Sequence, residues 1–271
     1  MPVELLSYFG LGCLVGLLSG LFGIGGGTVL VPFLIWQFDR LGFPAAIQML
    51  MAVATSLATI VITATVSMYS HSRRGAVHWP TVARMVPGIV LGSVAGSVIA
   101  ECLPAELFQC LFALFLLYVA WLLVRSGGPG GRAPHLGKAK LRLAAVGIGT
   151  ASAIVGIGGG SLTVPFLERG GFCIREAVGV SSALGVPIAV AGTLGYVLLG
   201  WNYRGLPEYT LGYVHLPAVA AIVTGSVPFA PVGVALVHRL PTTRLKQWFA
   251  LVLIATGVKL VWPVLLPLLR E

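Results

Sequence analysis

Long apolar stretches separated by short polar segments dominate the hydrophobic pattern of the chain. A helix needs about 20 apolar residues to cross the hydrocarbon core of a bilayer, and six stretches have about that length. They cover residues 45–70, 80–100, 105–125, 174–199, 212–237 and 245–268. None shows the short alternating segments of a membrane β-barrel. The pattern therefore predicts an all-α polytopic membrane protein.

Composition supports a protein that lies in the lipid bilayer. Of the 271 residues, 57% are hydrophobic and 9% are charged, whereas soluble domains carry about 25% charged residues. The formal net charge is +9. Basic loops that face the cytoplasm and its anionic lipids explain this charge better than nucleic-acid binding does. The N-terminus lacks the basic region of a cleaved signal peptide, so the first apolar stretch is interpreted as a retained helix.

The cysteines give no sign of a metal or redox centre. Cys13, Cys102, Cys110 and Cys173 form no CxxC pair, and no histidine stands at ligand spacing from them. Buried structural thiols are the usual role of such residues. We therefore predict no metal and no cofactor.

An internal repeat with the pattern G-I-G-G-G-[ST]-x-x-V-P-F-L organises the chain. The copies occupy residues 23–34 and 156–167. Two weaker matches follow in the same order, one between residues 54–56 and 180–182 and one around His78 and His215. The chain therefore has two homologous halves.

The boundaries of the halves follow from the repeat. The first repeat spans residues 1–125 and the second spans 141–271, joined by a polar cytoplasmic linker at 126–140 that is rich in Gly, Pro and basic residues. In each half we predict a Gly-broken helical hairpin, at 5–38 and 141–168, followed by three transmembrane helices.

The distribution of Lys and Arg decides between parallel and inverted halves. If each Gly motif is a single crossing, the basic loop residues divide nine to six between the two faces. If each motif is a hairpin, they divide twelve to three. Basic residues accumulate on the cytoplasmic face, which favours the hairpins. Each half then has an odd number of segments, so the repeats are inverted and both termini are periplasmic.

The Gly motif has the chemistry of an anion site. Glycine exposes bare backbone, and irregular backbone at membrane depth is tolerated where it is buried in protein or lines a cavity. Thr28 and Ser161 follow the glycines as N-caps of new helices, whose first amides and positive dipole ends attract anions. Close helix packing is the alternative, but the repetition favours a site near the midplane. The predicted substrate-binding residues here are Gly25, Gly26, Gly27, Thr28, Gly158, Gly159, Gly160 and Ser161.

A second polar pair also recurs in both halves. Thr55 and Ser56 match Ser181 and Ser182. These hydroxyls either donate to the anion or bond to their own helix. We predict them as further substrate-binding residues.

A few titratable residues stand out against the apolar background. His78 and His215 each precede a proline at a helix start, which suits a proton-handling or gating role or a structural role at the interface. Arg84 and Lys259 are the only Lys or Arg residues that lie more than one position inside the ends of the predicted spans. Intramembrane charges are rare and often functional, so Arg84 is predicted to contact the substrate, although it could also extend to the headgroups.

The doubled motif, with its following Thr-Ser and Ser-Ser pairs, resembles the TauE/SafE sulfite exporter family, also called TSUP or DUF81. The resemblance covers nearly the whole chain. It implies a bacterial cytoplasmic-membrane protein that exports sulfite, thiosulfate or an organosulfonate such as sulfoacetate. One departure is that residues 180–182 read Val-Ser-Ser where the family more often has Gly-Thr-Ser.

Three functions remain open at this point. A secondary carrier for a small anionic substrate is the first, and a small-anion channel is the second. The third is a membrane-embedded sulfur-trafficking protein, for which Cys13 is the nearest nucleophile to the motif. We do not predict an enzyme.

Overall fold

The computed structural model describes residues 2–22, 26–125 and 137–237, together with positions 251, 254, 255, 257 and 258. Within these ranges the chain is helical almost throughout. The helices are α1 Pro2–Phe22, α2 Gly27–Arg40, α3 Ala45–Ser72, α4 Trp79–Cys102, α5 Ala105–Arg125, α6 Lys138–Val155, α7 Gly160–Arg169, α8 Ile174–Gly200 and α9 Leu216–Val237. Gly25, Lys259, and most of the predicted linker and of the predicted helix 245–268 lie outside the described residues.

Five of these helices, α3, α4, α5, α8 and α9, contain apolar stretches long enough to cross a membrane. This confirms the prediction of an all-α polytopic membrane protein. The helices that follow the two Gly motifs are much shorter. α2 has 14 residues and α7 has 10, which correspond to about 21 and 15 Å of helix against a hydrocarbon core of about 30 Å. Neither can cross the membrane alone.

The last described helix begins later than the predicted start at residue 212. Strand β1 Thr210–Leu211 pairs antiparallel with strand β2 Val214–His215, and α9 starts only at Leu216. Gly212 makes the turn with φ 54°, a conformation that glycine adopts without steric cost. Hydrophobicity alone does not distinguish this apolar turn from a helix.

The β-hairpin is tied to the end of α4. The Tyr213 hydroxyl donates a hydrogen bond of 3.3 Å to Oε1 of Glu101. Burial, followed by the charge of Glu101, raises the pKa of Tyr213 to about 12. The phenol therefore keeps its proton and remains a donor at neutral pH.

The two halves exchange helices across their interface. α1 of the first half packs along α9 of the second, and α6 of the second half packs along α4 of the first. α3 and α8 form the central pair between the halves. The same partnership therefore occurs twice, with the halves interchanged.

Glycine faces allow these helix pairs to approach closely. A Cβ atom on Gly12, Gly16 or Gly20 of α1 would lie 2.2–2.3 Å from a backbone carbonyl oxygen of α9. α4 has the same spacing in Gly88, Gly92 and Gly96, which face α6. The carbonyl groups of α9 that face the three glycines of α1 belong to Ile222, Ser226 and Ala230. Small residues at every fourth position are typical of close helix packing in membranes.

The central helices run in opposite directions. Leu57 of α3 contacts Gly192 of α8, and seven residues further along α3, Ala64 lies next to Gly185. Residue numbers therefore rise along α3 while those of the contacting residues fall along α8. By the same test α1 and α9 are parallel, because Gly12 faces Ile222 and Gly20 faces Ala230.

Candidate functional site

The two glycine motifs meet in the interior of the protein. A Cβ atom on Gly27, at the start of α2, would lie 2.2 Å from the carbonyl oxygen of Gly156 and 2.9 Å from the Cα of Ile157. The Ser56 hydroxyl on α3 donates a hydrogen bond of 2.8 Å to the same Gly156 carbonyl. The break in the second half is therefore packed directly against the helix that follows the break in the first.

Each break turns the chain back beside the helix that precedes it. Gly26 has φ 73°, and a Cβ there would lie 2.3 Å from Cγ1 of Val15 on α1. Gly159 has φ 76°, and the position of its absent Cβ is 3.5 Å from the hydroxyl oxygen of Ser152 on α6. Glycine enters this left-handed region without steric cost, which explains why both turns use it.

The first turns of α2 and α7 begin at these breaks. Their N-caps are Gly26 and Gly159 and not the predicted Thr28 and Ser161, which stand two residues later, inside the helices. In α2 the amides of Val29 and Leu30 both donate to the carbonyl of Gly26, at 3.1 and 3.0 Å. The same arrangement occurs in α7 around the carbonyl of Gly159. The first two amides of each helix, those of Gly27 and Thr28 in α2 and of Gly160 and Ser161 in α7, have no carbonyl acceptor within their own helix. Together with the positive ends of the helix dipoles, they make a favourable environment for an anion.

Five buried hydroxyl groups near the breaks have no hydrogen-bond partner in the described part of the chain. They belong to Ser19, Thr28, Ser152, Ser161 and Thr163, and none of these residues is more than 7% exposed. Other helix hydroxyls bond to their own helix, as Ser70 and Thr150 do at 2.9 and 3.0 Å. A buried polar group without a partner costs about 1–3 kcal/mol. These five hydroxyls, distributed over the two breaks, therefore remain available as hydrogen-bond donors.

The second predicted polar pair lies close by but is largely engaged with the protein itself. The Thr55 hydroxyl oxygen accepts a 3.0 Å hydrogen bond from the backbone amide of His215. The Ser182 hydroxyl accepts one of 3.4 Å from a serine of α3, and Ser181 is buried on α8. With Ser56 bonded to the second break, these hydroxyls hold the central helices and the breaks in place.

The two matched histidines lie at opposite ends of the central helix pair. His78 is exposed, its Nδ1 is 2.8 Å from Oγ1 of Thr81, and its ring contacts Phe172 just before α8. His215 is buried and its ring contacts Phe43 just before α3. Because α3 and α8 are antiparallel, their starts lie at opposite ends. Each histidine thus packs on a phenylalanine of the other half.

The structure does not bring Arg84 to the breaks. Arg84 is exposed on α4, and one turn later Gly88 packs on Ala145 of α6. Gly156 follows Ala145 by eleven residues, and with the extra turn of α4 the separation along the helix axes is more than about 20 Å. Arg84 therefore does not contact a ligand that is bound at the breaks.

Three of the hydroxyls at the breaks were missed by the sequence reasoning. Ser19 and Ser152 each stand four residues before their motif, at the same position in both copies, so the repeat contained the signal. Thr163 is matched by Leu30 in the first copy, and the repeat could not reveal it. Within the described ranges, no group of three His, Cys, Asp or Glu side chains could hold a metal ion.

Apolar helices of membrane-spanning length, packed through glycine faces around two interior helix breaks, define a multi-pass membrane protein of the transporter class. The family model described as "Sulfite exporter TauE/SafE" matches residues 8–260. The chain belongs to that family, and it is a membrane transporter rather than an enzyme.

Similar proteins carry the same general description. A "Probable membrane transporter protein" of Haemophilus influenzae is 35% identical over 250 residues, which cover 92% of this chain and 95% of that protein. A protein described in the same words from Methanocaldococcus jannaschii is 25% identical over 256 residues, 91% of each chain. No solved structure matches the chain.

Proposed function

We propose that the protein is a secondary carrier that exports a small sulfur oxyanion or organosulfonate across the bacterial cytoplasmic membrane. Sulfite, thiosulfate and sulfoacetate are the candidate cargoes. The anion binds between the first turns of α2 and α7, where backbone amides and the hydroxyls of Thr28 and Ser161 donate hydrogen bonds to it.

One observation carries this proposal. The start of α2 packs in the protein interior against the break that precedes α7. The first turn of each of these two helices carries a buried hydroxyl, on Thr28 and Ser161, that has no hydrogen-bond partner among the described residues. Donors in a low-dielectric interior interact more strongly with charge than donors in water do. The observation supports a negatively charged ligand. The family description "Sulfite exporter TauE/SafE" supports a ligand with sulfur as its central atom.

The inverted-repeat arrangement is part of the same proposal. The antiparallel course of α3 and α8, which occupy the same place in their repeats, supports it, and so does the exchange of α1 and α6 between the halves. In such transporters, substrates bind near the bilayer midplane between the repeats, and one repeat rocks against the other.

Burial at the breaks favours a carrier over a channel. Thr28 is 1% exposed and Ser161 is 7% exposed, so the described part of the chain keeps both residues almost entirely away from solvent. A carrier opens such a site to one side at a time, whereas an open pore would keep its lining wet.

Transport into proteoliposomes tests the proposal directly. Uptake of sulfite, thiosulfate, sulfoacetate and taurine is measured with and without a pH gradient, on purified protein. We expect saturable uptake of at least one sulfur anion, and counterflow when the vesicles are preloaded with it. Flux that rises linearly with concentration and shows no counterflow would identify a channel. No flux of any of the four would refute the proposed cargo class.

Two near-isosteric variants test the site. Thr28→Val and Ser161→Ala each remove a hydroxyl that has no partner in the described ranges, so stability should stay the same or rise. Each should weaken the anion's apparent affinity roughly 10- to 100-fold, the usual effect of losing a hydrogen bond to a charged ligand. Thr150→Val is the matched control, because its hydroxyl bonds only to its own helix. Wild-type affinity in both site variants would contradict the assignment.

A further inference from the structure

The second break has more buried hydroxyl groups beside it than the first break has. The position where a Cβ of Gly159 would stand is 3.5 Å from the hydroxyl oxygen of Ser152 and 3.5 Å from that of Thr163. The two hydroxyls belong to different helices, α6 before the break and α7 after it. They therefore lie close together on the two helices that flank the turn, next to the Cδ1 atom of Ile188 on α8, which is 2.4 Å from the same position.

Both groups are buried donors that the protein does not use. Ser152 is 1% exposed, Thr163 is 0% exposed, and neither hydroxyl has a hydrogen-bond partner in the described part of the chain. The Ser152 carbonyl, by contrast, accepts the amide of Ile157 at 3.0 Å and so closes the end of α6. The backbone of this serine has a structural role, and its side chain has none.

The two halves differ at this point. Ser19 of the first half corresponds to Ser152, but Leu30 stands where the second half has Thr163. With Ser161, the second break therefore has three unpartnered hydroxyls, and the first break has two. Several neutral donors at one break suit an anion, which accepts a hydrogen bond from each of them.

We propose that Ser152 and Thr163 are additional substrate-binding residues and that the second break is the stronger half-site for the oxygen atoms of the anion. This inference rests on the proposed anion-carrier function and extends it to residues not otherwise assigned. The hydroxyls donate hydrogen bonds to oxygen atoms of the substrate, together with the amides at the start of α7. The first break contacts the anion more weakly.

Equilibrium binding to the purified protein in detergent tests this assignment. The dissociation constants of sulfite, thiosulfate and sulfoacetate are measured by calorimetry for the wild type and for Ser152→Ala, Thr163→Val and Ser19→Ala. Ser152→Ala and Thr163→Val should each weaken oxyanion binding roughly 10- to 100-fold. Ser19→Ala should have a smaller effect. Unchanged or raised melting temperatures in all three variants would show that the losses do not come from misfolding.

The possible failures can be told apart. If the wild type binds none of the oxyanions, the anion-carrier function fails and this inference fails with it. If the wild type binds an oxyanion and both second-break variants bind it equally well, only this inference is overturned. If Ser19→Ala weakens binding as much as they do, the claim of unequal half-sites is wrong.

Discussion

A single added methyl group on α4 should separate two helices that the structure holds in backbone contact. In Gly92→Ala the new Cβ would lie 2.2 Å from the carbonyl oxygen of Val146 on α6. Carbon and carbonyl oxygen atoms pack comfortably at about 3.3–3.6 Å. The helices must therefore move apart by about 1 Å, and the partner atom is rigid backbone that cannot rotate away.

The expected cost follows from this displacement. Overpacking a well-packed interior typically costs about 1–3 kcal/mol, and close van der Waals packing is a main force between helices in a membrane. For a chain of this size that corresponds to a fall in melting temperature of roughly 5 °C. Gly147→Ala supplies the control on the same helix pair, because no atom lies within 4 Å of the new Cβ. Replacing a helical glycine there should stabilise by up to about 1 kcal/mol.

The measurement is thermal unfolding of the two purified variants and the wild type in the same detergent, followed by size-exclusion chromatography. We expect Gly92→Ala to melt below the wild type and Gly147→Ala to melt at or above it. A Gly92→Ala protein as stable as the wild type would refute the close contact between α4 and α6. An equal loss in Gly147→Ala would mean that alanine is harmful for some reason other than this contact.

The direction of the central helices can be tested by cross-linking, and the hydrogen bond at the break by one substitution. In a cysteine-free background, Ala64→Cys with Gly185→Cys should form a disulfide, because the Ala64 Cβ is 3.3 Å from where a Cβ of Gly185 would stand. Leu57→Cys with Gly185→Cys should not, since these positions are about 10 Å apart along the helix. The opposite outcome would rule out the antiparallel pair. Ser56→Ala should destabilise the protein by about 1–3 kcal/mol, because the buried Gly156 carbonyl loses its 2.8 Å bond. Unfolding in detergent measures this, and a melting temperature equal to that of the wild type would contradict it.

The membrane fold was predictable from sequence because hydrophobic length alone determines which segments can span a bilayer. The predicted helices 45–70, 80–100, 105–125 and 174–199 agree closely with α3, α4, α5 and α8. The start of α9 was wrong by four residues, because a turn at Gly212 and a short strand pair are as apolar as a helix. Pairing between distant strands leaves no local hydrophobic signal.

The glycine contacts were less accessible to sequence reasoning. The spacing of Gly12, Gly16 and Gly20 indicates a close-packing face, but α9, the partner of that face, lies about 200 residues away. Only the tertiary structure shows which helix is used. The GIGGG motifs, in contrast, could be recognised from the sequence because they recur in both halves. The chain turns back at both of them.

The hydroxyl groups divide in a way that sequence could not anticipate. Ser56 and Thr28 are both small, polar and repeated, yet Ser56 bonds to the Gly156 carbonyl while the Thr28 hydroxyl has no partner among the residues that the structure describes. The difference depends on which backbone atom lies within 3 Å or so of each oxygen. That is a property of packing between halves, and neither repeat contains the information by itself.

The exchange of helices between the halves has a consequence for biosynthesis. When the ribosome has completed α1 to α5, the glycine faces of α1 and α4 have no partners, because α9 and α6 have not yet been made. The first half therefore enters the membrane as an unfinished unit and matures only after the second has been inserted. Contacts of such long sequence separation make folding slow. We expect either half expressed alone to be degraded, and the two halves expressed together to rescue one another.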